Sequence, residues 1–170
     1  MADFNKYAPI LKKVEGYGIF TNVSGDRGGA TMSGVTLSTF RKYYGMGKTA
    51  EDLKKMTEAQ WKYIMKSGYW DKCKADRIKN QSVANIIADW VVNSGPVVLK
   101  KVQSIVHAEV DGIVGPKTIT AINGAYQPSV FRAVKNARET WYRRTVQTTP
   151  SQAKFLKGWL NRLDYFKYEP

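Results

Sequence analysis

The 170-residue chain holds one cysteine, Cys73, and one histidine, His107. A single thiol excludes an intrachain disulfide and a cysteine-cluster zinc site. A lone imidazole removes the parts for most metal sites and for most triads built on histidine. Carboxylates and hydroxyls are the chemistry that remains, and neither a cofactor nor a metal is expected. Acidic residues are scarce too: 14 Asp and Glu face 27 Lys and Arg, for a net charge of +13. No apolar run approaches the roughly 20 residues of a membrane-spanning helix. The first residues, Met1-Ala2-Asp3-Phe4-Asn5-Lys6, have no basic stretch followed by an apolar one, so no cleavable leader is expected. The chain does have a 43% hydrophobic fraction with 12% aromatics, enough for a packed core in one domain or two small ones.

The positive charge attracts polyanions: nucleic acid, an anionic membrane surface or the anionic polymers of a bacterial wall. It is spread along the chain with no block of five like charges, so there is no basic tail. No zinc-finger, basic-zipper or RNA-recognition signature accompanies it.

The pattern reads as mostly helical. Phe4, Tyr7, Ala8, Leu11 and Val14 recur at helical spacing over residues 3–16, with Pro9 as a kink or restart. Glycines then punctuate two β-friendly runs, Ile19–Val23 and Ala30–Thr36, which predict a small hairpin lobe. Thr36 or Ser38 starts a short helix. Thr49 caps a helix through Asp52, and Thr57 forms a capping box with Gln60. Ser82–Asn93 is an apolar helix stopped by Gly95 and Pro96. Pro96 opens the next helix, with Leu99, Val102 and Val106 on one face. Asp111-Gly112-Ile113-Val114-Gly115-Pro116 is a double turn leading into a helix at 116–123. Helices at about 128–147 and 151–166 follow, the latter with Phe155, Leu156, Trp159, Leu160 and Leu163 as its buried stripe. The five tryptophans default to core, with Trp70 the first exception to look for. The fold class is α+β, mainly α. Residues 1–95 form a functional region and residues 96–170 a helical one, packed into one globular unit.

Glu15 lies four residues after Leu11 and extends the stripe of Phe4, Ala8 and Leu11. An acid at the end of an apolar stripe is partly desolvated, which favours its protonated form and suits a general acid. A glutamate at a frayed end, pointing at water, is the other reading. The glycine-rich segment Asp26-Arg27-Gly28-Gly29-Ala30-Thr31 follows, with a second carboxylate and a hydroxyl on a backbone that can approach a ligand closely. Two carboxylates across a cleft are the parts of glycoside hydrolysis. Taken singly, Asp26 reads as a turn-former and Thr31 as a strand residue.

In order along the chain stand Glu15-Gly16, Asp26-x-Gly-Gly-Ala-Thr-x-x-Gly-Val-Thr, Tyr69-Trp70-Asp71, Val92-Asn93-Ser94-Gly95-Pro96, Val110-Asp111-Gly112-Ile113-Val114-Gly115-Pro116-Lys117-Thr118 and Phe155-Leu156-Lys157-Gly158-Trp159-Leu160-Asn161-Arg162. This ordered set resembles glycoside hydrolase family 108, N-acetylmuramidases whose C-terminal half is a peptidoglycan-binding-type region. The resemblance implies a lysozyme-like helical fold with a β-hairpin lobe. It also implies cleavage of the bond between N-acetylmuramic acid and N-acetylglucosamine in bacterial peptidoglycan glycan strands. It makes Glu15 the general acid. Analogy with phage lysozymes gives Asp26 and Thr31 the positioning of water. Asn93, at the end of a cleft-lining helix, would contact sugar or merely cap the helix; Tyr17 would stack on a sugar or belong to the core. The chain departs from the family in reading Glu15-Gly16-Tyr17-Gly18 where the family has Glu-Gly-Gly-Tyr, and in having Met32 where the family has Asn.

Three functions follow as expectations: an active muramidase, with a lytic transglycosylase as its variant; a wall-binding protein with impaired catalysis; and a nucleic-acid binder resting on charge alone, with no nucleic acid expected under the first. Inversion would need the two carboxyls about 6.5–9.5 Å apart and retention about 5 Å. The muramidase reading implies a monomer made in the cytoplasm that reaches the wall in the periplasm through a holin or dedicated export.

Overall fold

The computed structural model describes residues 1–22 and 29–170. Among them are nine α-helices: α1 Phe4–Glu15, α2 Leu37–Tyr44, α3 Ala50–Lys54, α4 Glu58–Met65, α5 Gln81–Ser94, α6 Leu99–Ile105, α7 Pro116–Gly124, α8 Gln127–Thr148 and α9 Ala153–Asp164. Three two-residue strands, β1 Phe20–Thr21, β2 Thr31–Met32 and β3 Val35–Thr36, form an antiparallel sheet in chain order. The mainly helical α+β class with a small β part near the N-terminus is what the sequence predicts. The chain divides into two compact units, Tyr7–Gly68 and Met1–Lys6 with Tyr69–Pro170.

The smaller unit is organised by its caps. Thr36 caps α2 by accepting from the Thr39 amide. Thr57 with Gln60 makes the predicted capping box at the start of α4, and the predicted Thr49 cap at the start of α3 is also a full capping box with Asp52. These caps satisfy orphan amides, so the short helices can turn Phe40, Leu53, Trp61 and Ile64 into the core with at most 2% exposure each. Helix α1 runs through Pro9 without a break. The proline removes one helical hydrogen bond; burial of Tyr7, Ala8 and Leu11 around it holds the helix together.

The larger unit is built on α5. Every residue from Ser82 to Val91 is buried, as expected of a helix apolar on all faces. Gly95, at φ 82°, ends it. A 3-10 turn, Pro96–Val98, precedes α6. The double turn after α6 is locked by Gln103, itself 1% exposed. The Gln103 amide donates to Asp111 Oδ1 at 2.7 Å, and its carbonyl oxygen accepts from the Gly112 amide at 2.7 Å. Asp111 also accepts from the Ile113 amide. That backbone bond, with the one from Gln103, holds its carboxyl below the usual range. Asp111 Oδ1 is thus engaged in shaping the turn.

Two expectations are corrected. Trp70 is fully buried at the end of a single π-helical turn, Lys66–Trp70, with its ring edge-on to Phe4 at 5.8 Å. The wider turn rotates the indole inward, which ordinary helical counting misses. The stripe of α9 is buried only at Leu163; Leu156, Trp159 and Leu160 are half-buried and Phe155 is 45% exposed. This helix packs along one side of α8 and leaves its first turn in solvent.

Cys73 is buried and free. Burial pushes its thiol up to about 12, so the thiolate that thiol reagents require is absent near neutral pH. Ellman's reagent is expected to leave the native protein unlabelled and to titrate one thiol in denaturant; rapid native labelling would contradict this burial.

Candidate active site

Helix α1 ends in a Schellman closure. Gly16 takes φ 65°, and the Tyr17 amide donates to the Lys12 carbonyl at 2.9 Å. Glu15 is thus the last helical residue, and it is half-buried. The Lys12 ammonium lies 4.5 Å from the Tyr17 ring centroid and 2.6 Å from Glu58 Oε1. Hydrogen bonds from Lys12 and Lys62 hold the Glu58 carboxyl below the ordinary range. Tyr17 meets Trp61 edge-on at 5.2 Å and stays 37% exposed.

A hairpin tip closes on this helix end. Ser33 and Gly34 join β2 to β3 with φ values of 51° and 80°, the two positive angles of a type I′ turn. Ser33 is 1% exposed and spends all its polar groups there. Its amide donates to the Ile19 carbonyl at 2.9 Å, its hydroxyl accepts from the Gly18 amide at 2.8 Å, and its carbonyl accepts from the Trp61 indole at 2.9 Å. The next residue, Gly34, faces Glu15: a Cβ built on it would overlap Oε2 and lie 3.0 Å from the carboxyl carbon. The missing side chain is therefore the space that the Glu15 carboxylate occupies.

The pairings Thr21↔Thr31 and Thr31↔Thr36 make a row of three threonines across the sheet, and Phe20↔Met32 and Met32↔Val35 make an apolar row. Directly opposed residues share a face, so Thr31 sits mid-row, half-buried.

Glu15, Tyr17 and Thr31 all belong to the smaller unit. Asp26 lies outside the described residues. Asn93 belongs to the larger unit, at the end of α5, where its amide oxygen accepts from the Tyr142 hydroxyl and from Ser94. Ser33, Gly34 and Trp61, which build the wall behind Glu15, were not singled out from the sequence; the adjacent Ser-Gly between two short strands was the available signal. Among the described residues no group of three His, Cys, Asp or Glu side chains could hold a metal ion.

Gly34→Ala is expected to lower turnover more than tenfold, because the methyl must displace the Glu15 carboxylate. Gly18→Ala is the control: its φ is 88° and nothing lies within 4 Å of the added carbon, so it carries only backbone strain, about 1–2 kcal/mol. Equal activity in the two variants would refute the argument.

The family profile described as Glycosyl hydrolase 108 matches residues 9–95, about half of the chain, and the protein belongs to that family. A second profile, described as a predicted peptidoglycan domain, matches residues 98–164. The structure is similar to the one titled "Structure of Brucella abortus SagA", with a TM-score of 0.80 and 27% identity over 96% of this chain and 90% of that one. No curated protein matches the chain. The protein is a glycoside hydrolase, and its two matched regions make it a peptidoglycan hydrolase. No helix among the described residues is long and apolar enough to cross a membrane.

Proposed function

We propose that the protein hydrolyses the bond between N-acetylmuramic acid and N-acetylglucosamine, with Glu15 as the general acid. The observation that carries this reading is the seat of Glu15, half-buried at the end of α1 against a side-chain-free Gly34. That seat partly shelters the carboxyl from bulk water. A neutral carboxylic acid can protonate the leaving oxygen as the anomeric carbon develops oxocarbenium character. Thr31 contributes a hydroxyl to hold water, together with Asp26. Tyr17, 37% exposed, offers its ring to a sugar. In this reading the protein is made in the cytoplasm and acts on the wall after holin-type or dedicated export.

The test is digestion of purified peptidoglycan followed by mass analysis of the fragments. Reducing muramic acid ends are expected. Anhydro ends would replace hydrolysis by transglycosylation, and intact wall that still pellets the protein would leave only binding.

A further inference from the structure

Helices α6 and α8 lie side by side in the larger unit. Two adjoining cavities, of about 240 and 160 Å³, open between them and share Lys101, Trp141 and Arg144. On α8, Ala137, Thr140, Trp141, Arg144, Thr145 and Thr148 recur at three- and four-residue steps and so share one face. Lys101 comes from α6. Trp141 is half-buried and held edge-on by Trp90 at 6.2 Å, which fixes the indole. The Thr145 and Thr148 hydroxyls donate back to the Trp141 and Arg144 carbonyls at 2.8 and 3.0 Å, and their lone pairs are left to accept.

No carboxylate lines either cavity. The nearby acid on α8, Glu139, is bonded to Arg143 at 2.8 Å. Among the described residues, Lys101 and Arg144 form no ion pair. Two unpaired cations beside a fixed aromatic face suit a ligand with carboxylates next to small apolar groups. A glycan stripped of its stems offers one lactyl carboxylate per disaccharide and so leaves one of the two charges unanswered. The peptide stems of peptidoglycan, in which alanyl residues alternate with acidic ones, carry both features. Arginine gives a planar fork for one carboxylate and lysine a point charge for another.

We propose that the trough formed by Lys101, Trp141 and Arg144 is a docking site for the carboxylate-bearing peptide stem of peptidoglycan, a site that rests on the peptidoglycan-hydrolase reading and is separate from Glu15. It would hold the enzyme on peptide-bearing wall and let go of strands stripped of their stems.

The test is an NMR titration of the full chain with a soluble disaccharide-tetrapeptide, the same disaccharide without peptide, and poly(glycerol phosphate). The disaccharide-tetrapeptide is expected to shift the Trp141 indole saturably, and the bare disaccharide is expected not to. The pair Lys101→Glu and Arg144→Glu is expected to weaken binding at least fivefold with an unchanged melting temperature, and the milder Lys101→Ala and Arg144→Ala pair to weaken it in the same direction. Wild-type affinity in these variants, shifts confined to other residues, or tighter binding of the phosphate polymer would overturn the proposal. The disaccharide-tetrapeptide has no muramidase bond left to cleave, so the titration is independent of hydrolysis. Failure of wall digestion would sink the hydrolase reading without touching this result.

Discussion

Glu15→Gln is expected to reduce the release of reducing ends from purified peptidoglycan by about a thousandfold, the middle of the range for loss of a positioned general acid. KM is expected to change little, since glutamine has the same length and still fills the space against Gly34. The melting temperature is expected to hold within about 2 °C, because the exchange creates no cavity and buries no new charge. The combination separates chemistry from folding: a structural glutamate would lower stability before activity, a catalytic one only kcat. A glutamine variant with more than a tenth of wild-type turnover would remove Glu15 from the mechanism.

The second large effect is expected in the larger unit. Asp89 is fully buried on α5 and receives Arg138 at 2.6 Å and Arg162 at 2.8 and 2.9 Å. Arg138 is equally buried and also donates to the Tyr142 hydroxyl at 2.7 Å. Burial alone would raise the Asp89 carboxyl, but the two guanidiniums outweigh it and hold the group below its usual range. Removing one partner of a buried pair strands the other charge, at a cost of about 3–5 kcal/mol. Asp89→Asn is therefore expected to lower the melting temperature by roughly 10 °C. Replacing the buried pair together, Asp89→Leu with Arg138→Met, is expected to recover part of that loss. The folded-state value is depressed, so this stabilisation is present above the unfolded carboxylate range of about pH 4 and is lost as pH falls through the folded value. Calorimetry across acid pH checks the sign: wild type should lose stability more steeply than Asp89→Asn. An asparagine variant melting within 2 °C of wild type at neutral pH would refute the assignment.

These two sites differ in how far the sequence announced them. The place of Glu15 at the end of α1 could be read because its signals are local: a helical stripe and a glycine after it. The caps at Thr49 and Thr57 were legible for the same reason, since each is complete within four residues. Asp89 gave no such signal. Its partners are 49 and 73 residues away, and an aspartate inside an apolar helix does not say which arginines will reach it. Trp70 escaped because a π-turn shifts the phase of the helix that carries it. Phe155 was misread because apolar spacing defines a face but not how far a neighbouring helix covers it. The Asn93 pairing with Tyr142 is again a long-range match.

Ser33 is tied by three hydrogen bonds to two separate stretches of chain, at Gly18-Ile19 and at Trp61. A hairpin end anchored at so many points cannot slide along its partner strand. The turn that sets Gly34 against the Glu15 carboxylate is therefore clamped by side-chain and main-chain bonds from beyond its own two strands.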